Sequence, residues 1–283
     1  MSSVLYDVPG PKARRLSGTF SLLGSVLILG LLAWIVMTLA NQGIFEARRW
    51  AIFARADVWS LILNGLISTL AAAALAAFIA FPLSIVLCLL RLADNAVLRI
   101  IARVFLEFVR GMPVVLMMFF VLLVFATGSF VAVVAGLVLY NAAIFSEIIR
   151  SGVRSLPAGQ REAGLAIGLS SFRSRMIIEL PQAIRRMMPS LVAQLVVLLK
   201  DTSIGYIVSY EELLRKVQIM ADFLGPQFLF PIFFVAAAIY IVINIFVSRL
   251  AVWIEQRGSK KTGGGTGHAS PPVAVLEGAS MAK

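Results

Sequence analysis

Residues 62–90 read ILNGLISTLAAAALAAFIAFPLSIVLCLL, an unbroken run without Asp, Glu, Lys or Arg. About 20 apolar residues in a helix cross a hydrocarbon core roughly 30 Å thick, so this run reads as a membrane-spanning helix. Working outward from it, similar stretches lie at about 19–40, 113–127, 129–148, 190–210 and 230–253, giving six candidate spans. The third is short, and Thr127-Gly128-Ser129 marks a tight hairpin into the fourth. The first follows Lys12, Arg14 and Arg15 like a secretory signal, but it exceeds the usual apolar core of a signal and is read as a retained anchor.

Composition agrees. The 283-residue chain is 60% hydrophobic and 14% charged, with a mean hydropathy of +0.95. That leaves too little polar surface for an ordinary cytoplasmic globule. The net charge of +11 does not point to nucleic acid, because the 25 basic residues are scattered between apolar runs. With the amino terminus inside, eighteen Lys and Arg fall on the cytoplasmic side and five on the other, so both termini are expected inside. A single cysteine, Cys88, excludes a disulfide framework and a cysteine-rich metal site. The fold class is an all-α membrane protein of about six transmembrane helices. Residues 1–18 form a cytoplasmic N-terminal segment, and the Gly- and Pro-containing tail 257–283, with the lone His268, is read as disordered.

Between the fourth and fifth spans lie about forty residues, far more than packed helices need as a connection. The grammar of this segment, 150–188, is helical. Ser155 can cap a helix with Pro157 at its first position, Gly168 stands where that helix would stop, and Ser170 or Ser171 can cap a second helix ending before Pro181. Small residues at 163, 164, 166 and 168 would let another protein approach the backbone closely. The arginines equally suit an amphipathic helix resting on lipid headgroups.

Glu162-Ala163-Gly164, then Gly168, then Ile178-Glu179-Leu180-Pro181 resemble the E-A-A, G, I-x-L-P signature of membrane subunits of ABC importers; only Gly164 departs, where the family commonly has Ala. Asn64-Gly65-Leu66, Arg110-Gly111-Met112-Pro113, Ser155-Leu156-Pro157-Ala158-Gly159-Gln160 and Leu199-Lys200-Asp201-Thr202-Ser203 resemble the polar amino-acid permeases of the histidine/glutamate/arginine type. The resemblance covers about 62–256 and implies a five-helix permease core. The span and outer loop of 19–61 are extra, as in longer glutamate-type members.

The resemblance also implies a division of labour. The helix around Glu162 docks on a separate ATPase subunit: Arg161 and Glu162 bond at the joint, and Ala163, Gly164 and Gly168 supply closeness. The chain itself carries no G-x-x-x-x-G-K-[ST] phosphate loop, so no catalytic residue, metal or cofactor is assigned to it, and ATP and Mg are expected in the ATPase partners. Further implied partners are two ATPase subunits, a second permease identical or related to this one, an extracytoplasmic amino-acid-binding protein and the amino acid itself, all at a prokaryotic inner membrane. Glutamate or a related acidic or amide amino acid is the first expectation.

Polar groups inside the spans are expensive and therefore informative. Counting inward to outward from Pro189 puts Lys200 near the midplane, with Asp201, Thr202 and Ser203 beside it. This run either borders the translocation path or closes salt bridges between helices. Asn141 faces either a cavity or a neighbouring helix, Gln194 is a further polar group, and Glu147 is read as pairing with Arg150 or Arg154. The outer charges Glu46, Arg48, Arg49, Arg55, Asp57, Glu211, Glu212, Arg215, Lys216 and Asp222 suit either a delivering protein or ordinary solvated loops. An ion-coupled secondary transporter relaying through Lys200 and Asp201, and a non-transporting membrane scaffold, are the competing functions.

Overall fold

A computed structural model describes residues 11–260. Its helices, in chain order, are α1 (Pro11–Asn41), α2 (Ala47–Trp50), α3 (Ala56–Arg91), α4 (Ala96–Gly111), α5 (Val114–Val124), α6 (Ser129–Arg154), α7 (Ala158–Ala166), α8 (Ser171–Ser174), α9 (Leu180–Asp201), α10 (Leu213–Leu224) and α11 (Leu229–Lys260). The described residues contain no strand. Among the described residues, five helical stretches are long and apolar enough to cross a membrane: 19–41, 56–91, 129–154, 171–208 and 226–250. The α4–α5 pair, bent by 101°, makes a sixth if it is counted as one span.

Helix α6 is the centre, packed against α3, α5 and α9. The buried face of α3 is a stripe of Thr69, Ala72, Ala73, Ala76 and Ala80, whose spacing keeps small side chains on one side of the helix. Small residues let helix backbones approach where lipid offers no hydrophobic drive for association. Leu137, Ala142, Phe145 and Ile149 of α6 complete this core. By contrast, the span of α1 buries none of its length against the rest of the chain.

Several expectations need correction. The run 113–127 holds only the eleven-residue α5, and a further helix precedes it. Arg99, Arg103 and Arg110 hide a helix, α4, which keeps its arginines and an exposed apolar face of Val97, Ile101, Val104 and Phe108 on one amphipathic cylinder. Asn95 caps it by accepting from the N–H groups of Val97 and Leu98. The chain then turns at Met112-Pro113, where proline cannot continue the hydrogen-bond ladder. The fifth span does not begin near 190 either. Pro181 does not stop a helix there, because α8 widens into one π turn, Arg175–Glu179, and runs on as α9. Ser155 is not a helix N-cap. It closes the end of α6, its hydroxyl donating to the Gly152 carbonyl at 2.8 Å, and Pro157 occupies the N-cap of α7.

Other signals held. Gly168 adopts φ +83°, and the N–H groups of Gly168 and Leu169 bond back to Leu165 and Gly164, ending α7 as a glycine C-cap does. Ser170 caps α8 by accepting from the N–H of Arg173. The segment between the last two spans contains α10, which no hydropathy signal revealed. Helix α11 continues to Lys260; the tail reading for residues 261–283, His268 included, falls outside the described residues, as do residues 1–10.

Candidate functional site: a hairpin and a polar seam

The hairpin of α7 and α8 projects from the same end of the molecule as the α3–α4 turn. Arg175, 7% exposed, reaches across 81 positions of sequence to Asp94 with an Nη2–Oδ1 distance of 2.6 Å. Arg161 approaches the same carboxylate at 3.8 Å and donates to Ser171 Oγ at 3.3 Å. The Arg175 guanidinium beside Asp94 holds its carboxyl below the usual carboxylate range. Arg186 donates to the Ser155 carbonyl and Gln182 to Gln160, tying α9 to the start of α7.

Of the expected docking residues, Arg161, Glu162, Ala163 and Gly168 are exposed along this hairpin, whereas Gly164 is buried. A Cβ on Gly164 would lie 2.6 Å from Ser174 Oγ and 2.9 Å from Ile178 Cδ1. Its missing side chain therefore lets α7 close on α8, so its closeness is internal to the hairpin. Sequence reading overlooked Asp94 and the large exposed side chains Ile167 and Phe172. An apolar residue beside a C-cap glycine was the available signal for Ile167; nothing local pointed to Asp94.

The second group runs through the helices. Gln194 Nε2 donates to Asn141 Oδ1 at 2.9 Å, and Asn141, fully buried, donates to the Leu137 carbonyl. This is the helix–helix alternative for Asn141, joining α6 to α9. Glu147 is a hub: Arg91 bonds it at 2.5 Å, Arg150 bonds it through two nitrogens, and Arg110 stands at 4.0 Å. Arg91 is the partner that sequence reading missed, and Arg154 is not one.

Lys200 and Asp201 form the last turn of α9, about 30 Å of rise from Leu180, instead of lying halfway along a helix begun at Pro189. Neither makes an ion pair among the described residues. Thr202 is buried and donates to the Leu199 carbonyl, as does the Tyr240 hydroxyl of α11, both at 2.7 Å. The two hydroxyls are 3.1 Å apart, and Ser203 Oγ bonds the Lys200 carbonyl. Backbone beyond Asp201 tightens into a 3₁₀ turn, Thr202–Val208, that ends on left-handed Ser209. Tyr240 was overlooked, although a tyrosine inside the 230–253 run must find a partner for its hydroxyl.

At the far end α10 is pinned to α3. Leu213 N–H donates to Thr69 Oγ1, Tyr210 donates to the Ser68 carbonyl, and Gly65 permits the approach, since a Cβ there would sit 2.9 Å from Leu213 Cα. Glu212, fully buried, caps α10 by accepting from the N–H groups of Leu214 and Arg215. Burial outweighs those bonds and pushes its carboxyl up to about 7. Of the other charges expected at this end, Arg55 pairs with Asp57 at 2.6 Å, Arg48 with Glu46 at 3.5 Å and Lys216 with Glu211, while Arg49 donates to the Gln42 carbonyl and Asp222 accepts from Gln218.

The described residues thus form a helical bundle with membrane-length helices and a hairpin set between two of them. The chain belongs to the family of binding-protein-dependent transport system inner membrane components, which matches residues 80–260. It is 36% identical over 228 residues to the glutamate transport system permease protein GluD of Corynebacterium glutamicum, covering 77% of this chain and 83% of that one. It is also 34% identical to the probable glutamine ABC transporter permease protein GlnP of Bacillus subtilis, over 69% of this chain and 92% of that one. Among solved structures, a crystal structure of an amino acid ABC transporter with histidines superposes with a TM-score of 0.65 at 26% identity, covering 73% of this chain and 98% of that one. The inward-facing methionine transporter MetNI shares the fold alone, at TM-score 0.61 and 17% identity.

Proposed function

We propose that this chain is the membrane-spanning subunit of an ATP-driven importer of polar amino acids, with glutamate or a related acidic or amide amino acid as its substrate. The observation that carries the reading is the α7–α8 hairpin: Arg161, Glu162 and Ile167 stand exposed on an element fastened to the spans through Arg175 and Asp94. Such an element can take a push from outside the bilayer and pass it to α3, α4 and α9. Names of the similar permeases, glutamate and glutamine among them, support the substrate class.

On this reading the hairpin and both termini lie in the cytoplasm, as the basic loops favour. Two ATPase subunits seat on the hairpins of this chain and of a second permease, identical or related, and supply the ATP and Mg chemistry. An extracytoplasmic binding protein delivers substrate to the end that carries α2 and α10. Closure of the ATPases draws the hairpins together and opens the path outward; hydrolysis resets it. Lys200, with Asp201 and Ser203 about it, supplies a cation and a hydroxyl for the substrate's carboxylates, while buried Thr202 and the Asn141–Gln194 bond hold the helices in register behind them.

Co-purification is the decisive experiment. Wild-type chain expressed with its transport system should bring down the ATPase subunits, and Glu162→Lys should lose both that association and uptake while still inserting. Full assembly and uptake in Glu162→Lys would defeat the docking role; uptake driven by an ion gradient without ATP would defeat the class.

A further inference from the structure

The last turn of α4 and one face of α6 enclose a cavity of about 480 Å³, a volume typical of small-molecule sites. Between Tyr140 and Ile148 the only α6 residues not buried are Tyr140, Ile144, Glu147 and Ile148, which helical spacing puts on one side, and all four line the cavity. Glu107, Arg110 and Gly111 of α4 complete the lining. Gly111 leaves space open, since a Cβ there would meet nothing within 4 Å.

The charges divide by how firmly they are held. Glu147 is already engaged: Arg91 bonds one of its oxygens at 2.5 Å, and Arg150 bonds both. Arg110 stands off from it at 4.0 Å with 43% of its side chain exposed. Glu107, 61% exposed, reaches only Arg91, at 3.9 Å. Neither distance is that of a hydrogen bond, and the Tyr140 hydroxyl makes none among the described residues. One weakly held cation and one weakly held anion therefore stand a turn apart on α4, about 4.5 Å of rise.

That combination selects the kind of ligand. An inorganic anion would engage Arg110 alone, and a simple cation Glu107 alone. A free amino acid presents a carboxylate to the first and an ammonium to the second, each in a charge-assisted bond. Tyr140 and Ile144 are left for its side chain, and neither carries a charge that would select one.

We infer that this cavity is a second amino-acid site, apart from Lys200, that recognises the zwitterionic head of its ligand. The choice of an amino acid among zwitterions rests on the proposed function; the pair of charges does not. An amino acid seated there spans from α4 to α6 beside the elbow at Met112-Pro113.

The test uses the full chain carrying Lys200→Ala, so that the end of α9 contributes no cation, in phosphatidylcholine nanodiscs titrated with tritiated L-glutamate. Saturable binding is expected, displaced by glycine, which keeps both charges, but not by acetate or methylamine, which keep one each. Arg110→Gln and Glu107→Gln should each weaken it roughly tenfold or more. Gly111→Leu should abolish it by filling the cavity without removing a charge, and Arg103→Gln, on the same helix but outside the cavity, should change it less than about twofold. If Arg110→Gln does not fold, Glu107→Gln carries the comparison, since its exposed side chain supports no close neighbour. Absence of saturable binding, undiminished binding in the cavity variants, failure of glycine to displace, or full displacement by acetate would each overturn the inference. So would loss of glutamate binding when phosphatidylethanolamine replaces phosphatidylcholine, which would assign the cavity to a lipid headgroup. Binding needs no ATPase here, so failure of this test leaves the importer reading standing, and failure of ATPase association leaves this site standing.

Discussion

Arg175 and Asp94 meet at 2.6 Å, one from the π turn behind the hairpin and the other from the turn between α3 and α4. Arginine is the buried partner, at 9% side-chain exposure, while the carboxylate is 62% exposed. Removing the acid would therefore strand a guanidinium that water reaches poorly, a costlier change than losing a surface pair.

From this follows the first prediction. Asp94→Asn should loosen the hairpin, raising amide hydrogen exchange across 158–179 and weakening ATPase association, without affecting exchange in α10. Because the carboxyl is depressed in the fold, its contribution is present above about pH 3.8 and is lost only as acid protonates it below that. Unaltered exchange in the hairpin would show that the remaining contacts of Arg175 suffice.

Gly164 gives the second. Alanine is the better helix former by up to about 1 kcal/mol, yet a Cβ here would press on Ser174 Oγ at 2.6 Å and Ile178 at 2.9 Å. Overpacking typically costs about 1–3 kcal/mol, so Gly164→Ala should lower the melting temperature of the purified chain and perturb the 3.4 Å hydrogen bond that Ser174 Oγ donates to Glu179. Adding Ser174→Ala should recover part of the loss. A more stable Gly164→Ala variant would mean that propensity outweighs packing at this position.

These residues also mark what was legible in the sequence. Apolar runs announce spans because the bilayer demands them, and Gly168 and Ser170 announce helix ends because backbone groups must be capped locally. Helix α4 escaped because Arg99, Arg103 and Arg110 lower the hydropathy of a helix whose other face is apolar. Pro181 read as a stop, although a π turn can absorb it. The Arg175–Asp94 and Arg91–Glu147 pairs span 81 and 56 positions, so no local spacing encodes them. Gly164 was legible as an exception to the pattern, but its reason, Ser174, is visible only once the hairpin is folded.

Glu212 supplies a pH dependence. Its carboxyl titrates near 7 in the fold against an ordinary value of 4.5, so the folded chain holds this proton over a range where an undocked α10 would not. Docking of α10 on α3 is then firmest below pH 4.5 and weakens as pH rises through about 7, by something on the order of 3 kcal/mol at the limit. Intrinsic-rate-corrected hydrogen exchange of α10 should be faster at pH 8.5 than at pH 5.5, and Glu212→Gln should flatten that difference. A Gln variant with the wild-type pH response would assign the effect to another group.

Lys200 decides between a structural and a substrate-facing role for the polar run at the end of α9. Exposed, and without an ion pair among the described residues, it has no fold-stabilising charge to lose, so Lys200→Ala should insert, fold and retain the ATPase partner. A charge-assisted bond to a carboxylate contributes about 1.5–3 kcal/mol, equivalent to roughly a ten- to hundredfold change in affinity. Uptake of an acidic amino acid by reconstituted Lys200→Ala transporter should fall by that factor, and Lys200→Arg should recover part of it. A charge reversal offers the sharper discrimination: Lys200→Glu should depress uptake of an acidic substrate further than alanine does, because it sets like charges face to face. Equal uptake by the alanine and glutamate variants would remove Lys200 from the path and shift attention to Thr202, Ser203 and the facing permease.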